Sequence, residues 1–480
     1  MPQRNLDGFL GDAIDRLVEQ HHRRRLSRLG WGHVLAPNGP DLWAAGDLPA
    51  RTGNSVEVHI DGATALPRIA ATIRGAARGV LLAAWHASPE FRLERHPGAI
   101  TARDLLADTA ERVPVRLLMW AGPPAPVFQP TRRVVHAARD GFMQGTKVNC
   151  ALDVRERTLH CHHEKLVIVD DEVAFVGGID LTALGGDRFD ESSHSPHGPL
   201  GWHDAAVELR GPIVADVAGH LGARWTEVTR ERLPEAPVPP PAGDTTVQLV
   251  RTVPENTYQF ASRGRFSALD TYLRALSSAR RLVYLENQFL WSTEVVSVLA
   301  GLLHRPPDPD FRLLVVLPAK PNNGKDTTRG QLGRLIDADA DRGRLLACTL
   351  SSFDETGSGP LYVHAKIGLV DDRWLTIGSA NLNEHSLFND TEVNVVLREE
   401  RLVRETRLRL WAEHLRCDVS ELAAEDPTRV IDQRWRPIAT EQQQRYEQGQ
   451  PPTHPLRLLP GISRRTERLI GPLRGLLVDA

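Results

Sequence analysis

The sequence predicts an α/β fold built as two similar lobes, and three features of the chain predict it. The stretch "HCHHEKLVIVDDEVAFVGGIDL" (160–181) has a counterpart of the same layout in "LYVHAKIGLVDDRWLTIGSANL" (361–382). Short, β-branched apolar runs alternate with amphipathic stretches in both halves, the pattern of strands connected through helices. Matching segments also keep their spacing to within one residue, which points to an internal duplication rather than a chance motif.

Each element follows from local pattern. In the first copy, Leu166–Val169 and Val173–Val176 are apolar runs separated by the acidic residues 170–172, so they read as a buried strand, a tight turn and a second strand. Upstream, "ARGVLLAAWH" (77–86) aligns with "ARRLVYLENQ" (279–288), and "VPVRLLMW" (113–120) parallels "FRLLVVLP" (311–318), each run being of the kind that forms a central strand. Downstream, "HDAAVELRGPIVADVAGHLGARW" (203–225) parallels "TEVNVVLREERLVRETRLRLWAEHL" (391–415), a strand followed by an amphipathic helix. The proline-dense "LPEAPVPPPAGD" (233–244) suits neither helix nor central strand and reads as a stiff connector. It divides the chain into an N-terminal lobe, 1–240, and a C-terminal lobe, 241–480, each with one motif.

Composition narrows the function class. The chain has 480 residues, 41% hydrophobic and 25% charged, with a net charge of −3, so no overall basic field favours nucleic acid. The basic cluster "HHRRRLSR" (21–28) continues an amphipathic helix and reads as a solvated face or a tail packed on the body in preference to a membrane contact. The N-terminus lacks the apolar stretch of a signal peptide, and no window approaches the roughly 20 apolar residues of a membrane span. A cytoplasmic chain is expected, with peripheral membrane contact left open. Cys150, Cys161, Cys348 and Cys417 are widely spaced and read as reduced core residues. Trp43, Trp85, Trp120 and Trp291 read as core. His194, His197 and His203 flank a long Gly/Ser/Pro/His loop that suits a lid or a surface loop equally, and "PAKPNNGKDTTRG" (318–330) suits head-group contact or solvent equally.

The chemistry lies in the repeated pattern. On a strand, alternate side chains share a face, so His163 and Lys165 point one way while His160, His162 and Glu164 point the other. The histidines therefore do not converge, and a lysine beside His163 would repel a cation, so a metal site of His160, His162 and His163 is not expected. The two copies share His163, Lys165 and Asp170 in one and His364, Lys366 and Asp371 in the other, each reading H-x-K-x-x-x-x-D before a small-residue turn. Two facing His–Lys pairs suit in-line cleavage of a phosphodiester. One imidazole attacks phosphorus, the other protonates the departing oxygen, and the lysines bracket the non-bridging oxygens where charge builds up. Attack by histidine makes a covalent phospho-enzyme, and no metal or other cofactor is called for.

This doubled H-x-K-x4-D pattern resembles the phospholipase D superfamily, over residues from about 55 to about 430. The resemblance implies two α/β/α sandwich lobes with mixed sheets, related by a pseudo-two-fold axis, with the active site at the lobe interface. It implies His163 and His364 as catalytic imidazoles, with His163 the nucleophile and His364 the acid, and Lys165 and Lys366 as phosphate clamps. Asp170 and Asp371 are motif acids of more structural than chemical character. Ser379 and Asn381 match positions that hold phosphate, and the first copy has Gly178 and Asp180 there instead. "YLENQFLW" (284–291) and "GWHDAAVELRGP" (201–212) resemble segments of the phospholipid-acting members. In that pattern Asp204 and Glu392 accept a hydrogen bond from the second ring nitrogen of a motif histidine. The expected activity is hydrolysis of glycerophospholipids at a membrane surface, with transfer to alcohols. A cardiolipin-synthase-like phosphatidyltransferase and a nuclease are the alternatives, and nucleic acid is the less favoured substrate.

Overall fold

The computed structural model describes residues 6–37, 41–124, 129–156, 160–189, 200–319, 325–355 and 357–459. His194, His197 and residues 320–324 of the second loop lie outside the described residues.

The first half contributes β1 (Arg51–Ile60), β2 (Val80–Ala84), β3 (Val115–Trp120), β4 (Asn149–Asp153), β5 (Leu166–Val169), β6 (Val173–Gly177), β7 (Gly201–His203) and β8 (Ala205–Arg210). Its sheet runs β4-β3-β2-β5-β6-β8-β1, parallel across the first three strands and antiparallel thereafter. The second half contributes β9 (Thr245–Val253), β10 (Arg265–Phe266), β11 (Leu282–Asn287), β12 (Arg312–Val316), β13 (Leu345–Asp354), β14 (Gly357–Val363), β15 (Lys366–Val370), β16 (Trp374–Gly378), β17 (Glu392–Leu397) and β18 (Leu456–Leu458). Its sheet runs β13-β12-β11-β15-β16-β17-β9, the same order with the same parallel and antiparallel steps. The start of β1 also pairs with β9, so the two mixed sheets meet at that edge.

Register corrects one detail of the alignment made from sequence. Val80 pairs with Val169 and Val283 with Val370, so Val80 corresponds to Val283 and Ala77 to Arg280, one residue beyond Ala279. Such a slip exchanges the two faces of a strand, and only the pairing partners fix it.

The helices that matter are α1 (Leu6–Leu29), α2 (Gly62–Arg74), α3 (Ala102–Ala110), α4 (Arg132–Met143), α5 (Ile213–Thr229), α6 (Ser267–Ser278), α7 (Thr293–His304), α8 (Lys325–Asp339) and α9 (Glu400–Leu415). Side-chain caps start three of them: Thr101 accepts from the Asp104 N–H, Thr131 from the Val134 N–H and Ser292 from the Val295 N–H. Helices α5 and α9 pack between the sheets in a shared core that includes Leu166, Ile168, Trp225, Ile367 and Trp411. Outer cores lie under α2, α3 and α4 on one side and α6 and α7 on the other. Truncating a fully buried residue such as Trp411 to Ala costs about 3–5 kcal/mol through lost transfer energy and the cavity left behind.

Between Arg230 and Ala242 the backbone is neither helix nor strand, as the prolines require. The basic end of α1 packs on the body: Arg25 is buried against Glu255, Asn389 and the Phe388 carbonyl, and His22 bonds Glu294. Trp85, Trp120 and Trp291 are buried, Trp43 partly so, and all four cysteines are free thiols.

Candidate active site

The two motif histidines meet because each backbone is pinned to the opposite half. The His163 N–H donates to the Thr391 carbonyl at 3.0 Å, and the His364 N–H donates to the His203 carbonyl at 2.8 Å. Strand β14, just before His364, pairs in parallel with β7, just before Asp204. Their rings come to rest with centroids 6.4 Å apart.

The same crossing links the side chains. His163 Nδ1 lies 3.1 and 3.2 Å from the Glu392 carboxylate oxygens, and His364 Nδ1 lies 2.6 Å from Asp204 Oδ2. Each carboxylate therefore serves the histidine of the other half. An Nδ1–H donated to a carboxylate leaves Nε2 as the lone-pair face, and two such faces look into one space. Glu392 is further held by the hydroxyls of Ser379 and Ser386, and Asp204 by the Ala205 N–H.

Burial governs the resting charge. It pushes both imidazoles well below the ordinary histidine value, helped by Lys165 and Lys366 around His163 and by Lys366 and Arg188 around His364. It also raises the Asp204 carboxyl to about 6 and lifts Glu392 well above the usual range. Charge is expensive in this desolvated space, and an entering anion favours the cationic forms of the lysines and imidazoles.

The lysines lie beside the histidines. Lys165 Nζ donates to the His163 carbonyl at 2.6 Å and sits 3.4 Å from Asp180. Lys366 Nζ donates to the His364 carbonyl and to Gln288 Oε1 at 3.2 Å. Asn381 donates to the same Gln288 oxygen, and Gln288 donates on to the Tyr362 hydroxyl.

The turn positions differ in kind. Ser379 directs its hydroxyl to Glu392, and Asn381 Oδ1 is buried without a partner among the described residues. Gly178 leaves room for Asp204: a Cβ there would come within 2.2 Å of Asp204 Oδ1. Asp180 accepts from the Trp85 N–H, placing a carboxylate where the second copy has an amide.

Asp170 and Asp371 stand apart from these groups. They lie at the far ends of β5 and β15. Asp170 accepts from the N–H groups of Ala77, Arg78 and Gly79, and Asp371 from those of Arg280, Arg281 and Leu282. Both occupy left-handed backbone, at φ 59° and 52°, so they tie a tight turn to the neighbouring strand.

Other residues surround the site without having been singled out from sequence. Arg188 is buried with its guanidinium 3.1 Å over the Trp202 ring, and Trp202 lies 4.3 Å from the His364 ring. Burial lowers Arg188 to about 10, against the opposing charges of Asp180 and Asp204. Among the described residues its Nε has no partner, and nothing in the local sequence marks it. His203, placed by sequence beside a loop, is fully buried between Asp61 at 2.9 Å and Glu286 at 2.7 Å, and those carboxylates hold it protonated well above the ordinary value. Trp202, His203, Glu286 and Gln288 all fall within the two quoted signature segments, so their signal was present without an assigned role.

The three histidines of the "HCHH" run separate. His163 joins the site, His162 faces Asp153, and His160 meets His385 and Asp390.

Comparison with known proteins agrees with this geometry. The family model described as "Cardiolipin synthase, PLD-like domain" matches residues 272–412. Phospholipase D A of Dictyostelium discoideum is 25% identical over 466 aligned residues, covering 77% of this chain and 36% of that protein. Cardiolipin synthase A of Pseudomonas fluorescens is 26% identical over 401, covering 79% of this chain and 72% of that one. The chain thus spans about a third of the Dictyostelium protein's length. The crystal structure of phosphatidylserine synthase from Haemophilus influenzae superposes with a TM-score of 0.50 at 12% identity, covering 82% of this chain and 95% of that one, a likeness of fold. A family model matched within the second half, phospholipases D about 25% identical over most of the chain, and a shared architecture agree: the chain is similar to the phospholipase D superfamily.

Proposed function

We propose that this chain is a phospholipase D-type phosphodiesterase that cleaves glycerophospholipids to phosphatidic acid and free head group, and transfers the phosphatidyl group to alcohols. The observation that carries the reading is the crossed pair of dyads, His163 with Glu392 and His364 with Asp204, flanked by Lys165 and Lys366. The halves 1–240 and 241–480 each contribute one motif and one carboxylate.

In the first displacement, the His163 Nε2 lone pair attacks phosphorus and the bond to the head-group oxygen breaks. That oxygen takes the proton from His364 Nε2, so His364 must enter this step as the imidazolium. The phosphodiester's negative charge supports that protonation in a site whose burial otherwise opposes it. Lys165, Lys366 and Arg188 face the charge that builds up on the non-bridging oxygens. In the second displacement, water or an alcohol loses a proton to the neutral His364, its oxygen bonds phosphorus, and the phosphorus–nitrogen bond breaks to restore His163.

The test is phosphatidylcholine vesicles with ethanol present. Phosphatidylethanol alongside phosphatidic acid is expected, since both nucleophiles enter the space vacated by the head group. Rapid cleavage of single-stranded DNA with no phosphatidylethanol would remove the lipid reading. The match to a cardiolipin synthase domain and to cardiolipin synthase A favours one second reading, in which the acceptor is a lipid alcohol such as phosphatidylglycerol. Among the described residues no helix is long and apolar enough to cross a membrane, and the proposed encounter with lipid is at a membrane surface from the cytoplasmic side.

A further inference from the structure

Beside the proposed site, His160 and the segment 385–390 form a second cluster that the phosphodiester chemistry does not use. His160 Nδ1 lies 3.1 Å from His385 Nδ1 and 3.4 Å from Asp390 Oδ1. All three ligand atoms fall within 4.8 Å of one another. His385 and Asp390 are buried, while the His160 side chain keeps 13% of its surface exposed.

Protons are too few for the lone pairs gathered there. If His160 Nδ1 carries its proton, His385 Nδ1 and Asp390 Oδ1 compete for it. If His385 Nδ1 carries it instead, His160 turns a lone pair toward the carboxylate at 3.4 Å. The Cys161 N–H donates to Asp390 Oδ1, and among the described residues Asp390 Oδ2 has no partner. A cation satisfies all of these groups together.

The spacing also suits one. Ligand atoms about 2.0–2.1 Å from a tetrahedral ion lie about 3.3–3.4 Å apart, close to the two separations observed. Two imidazoles and one carboxylate are a borderline ligand set that selects a divalent transition cation over Mg2+ or Ca2+. The exposed edge of His160 offers an entry path.

We propose that His160, His385 and Asp390 bind one divalent transition cation of the Zn2+ type, joining residue 160 of the first half to the 385–390 segment of the second. This differs from a site of His160, His162 and His163, whose side chains diverge. It stands independently of the phosphodiesterase reading, because its readouts are binding and stability.

The experiment uses full-length protein stripped with a chelator and then titrated with ZnCl2 by calorimetry and with CoCl2 by visible absorption. Wild type is expected to take up one more equivalent than either H160Q or H385Q. It should also develop the visible bands of a low-coordinate Co2+ site, which both variants lack. Zn2+ should raise the Tm of wild type and leave both variants unmoved. Equal Tm values for the three proteins in chelator establish that each variant folds, and D390N serves in place of any variant that fails that control. Equal uptake by wild type and variants, absence of saturable uptake, or loss in only one of the two histidine variants would overturn the proposed ligand set.

Discussion

Replacing Glu392 with Gln tests the crossed dyads directly. The carboxylate is fully buried, faces His163 Nδ1 with both oxygens at 3.1 and 3.2 Å, and accepts hydrogens from Ser379 and Ser386. Gln keeps the volume and exchanges one acceptor for an NH2 donor. Turned toward His163, that donor requires a lone pair on Nδ1 and so puts the proton on Nε2, where attack needs a lone pair. Turned away, it meets a serine hydroxyl and leaves a single neutral acceptor for the imidazole. A hydrogen bond to a charged group contributes about 1.5–3 kcal/mol, so kcat is expected to fall about 10- to 150-fold at about 1.4 kcal/mol per decade. Single-turnover release of p-nitrophenol from p-nitrophenyl phosphocholine measures it. That leaving group departs with little help from an acid, so Asp204→Asn, which acts through His364, should retain much of its first-step rate on this substrate. Glu392→Gln should not. A Glu392→Gln enzyme with unchanged Tm and near-normal single-turnover rate would refute the dyad, and rescue of Glu392→Gln rather than Asp204→Asn by the good leaving group would reverse the roles of the two histidines.

His163→Ala and His364→Ala should each reduce phosphatidylcholine turnover by at least about 100-fold, and acid-labile phosphate from a quenched reaction should map to His163; phosphate on His364 alone would exchange nucleophile and acid. The kcat/KM profile should be bell-shaped, with both limbs displaced downward because burial lowers the base His163 and the acid His364 alike; a rate that climbs monotonically with pH would remove the acid role. Turnover should survive exhaustive chelation, since Lys165 and Lys366 are placed to supply the positive charge at phosphorus, and a loss restored by Zn2+ in H385Q as well as in wild type would assign the chemistry to a metal. His203→Leu should destabilise the chain by about 3–5 kcal/mol, because Asp61 and Glu286 lose their buried counter-charge. The folded pKa of His203 is raised, so that contribution is complete below pH about 6.5 and shrinks as pH rises through the folded value, which Tm measured against pH for wild type and variant will show.

The duplicated layout was legible because strand period and motif spacing are local properties. His163 and Lys165 do share a face, with His162 and Glu164 on the other, and the parallel and antiparallel order of each sheet matches between halves. Three things were not local and were not legible. The offset that pairs Ala77 with Arg280 shows in the strand register and in the hydrogen bonds given to Asp170 and Asp371. Arg188 reaches the site by stacking on Trp202, a contact that no spacing announces. The third is which carboxylate serves which histidine, since Asp204 and Glu392 stand at equivalent places in the repeat and either assignment satisfies the pattern.

The crossing of these pairs has a consequence for how the chain is assembled. Were Asp204 to hold His163 and Glu392 to hold His364, each half would carry a complete dyad and the halves would need only to touch. Here the His163 N–H bonds the Thr391 carbonyl and its ring bonds Glu392, while the His364 N–H bonds the His203 carbonyl and its ring bonds Asp204. Neither imidazole then has its tautomer fixed, or its Nε2 aimed, until the other half is in place. A shift of one half against the other disturbs both dyads at once, because each backbone bond and the dyad beside it span the same junction. Assembly of the two halves and preparation of both imidazoles for catalysis are, in this arrangement, a single event.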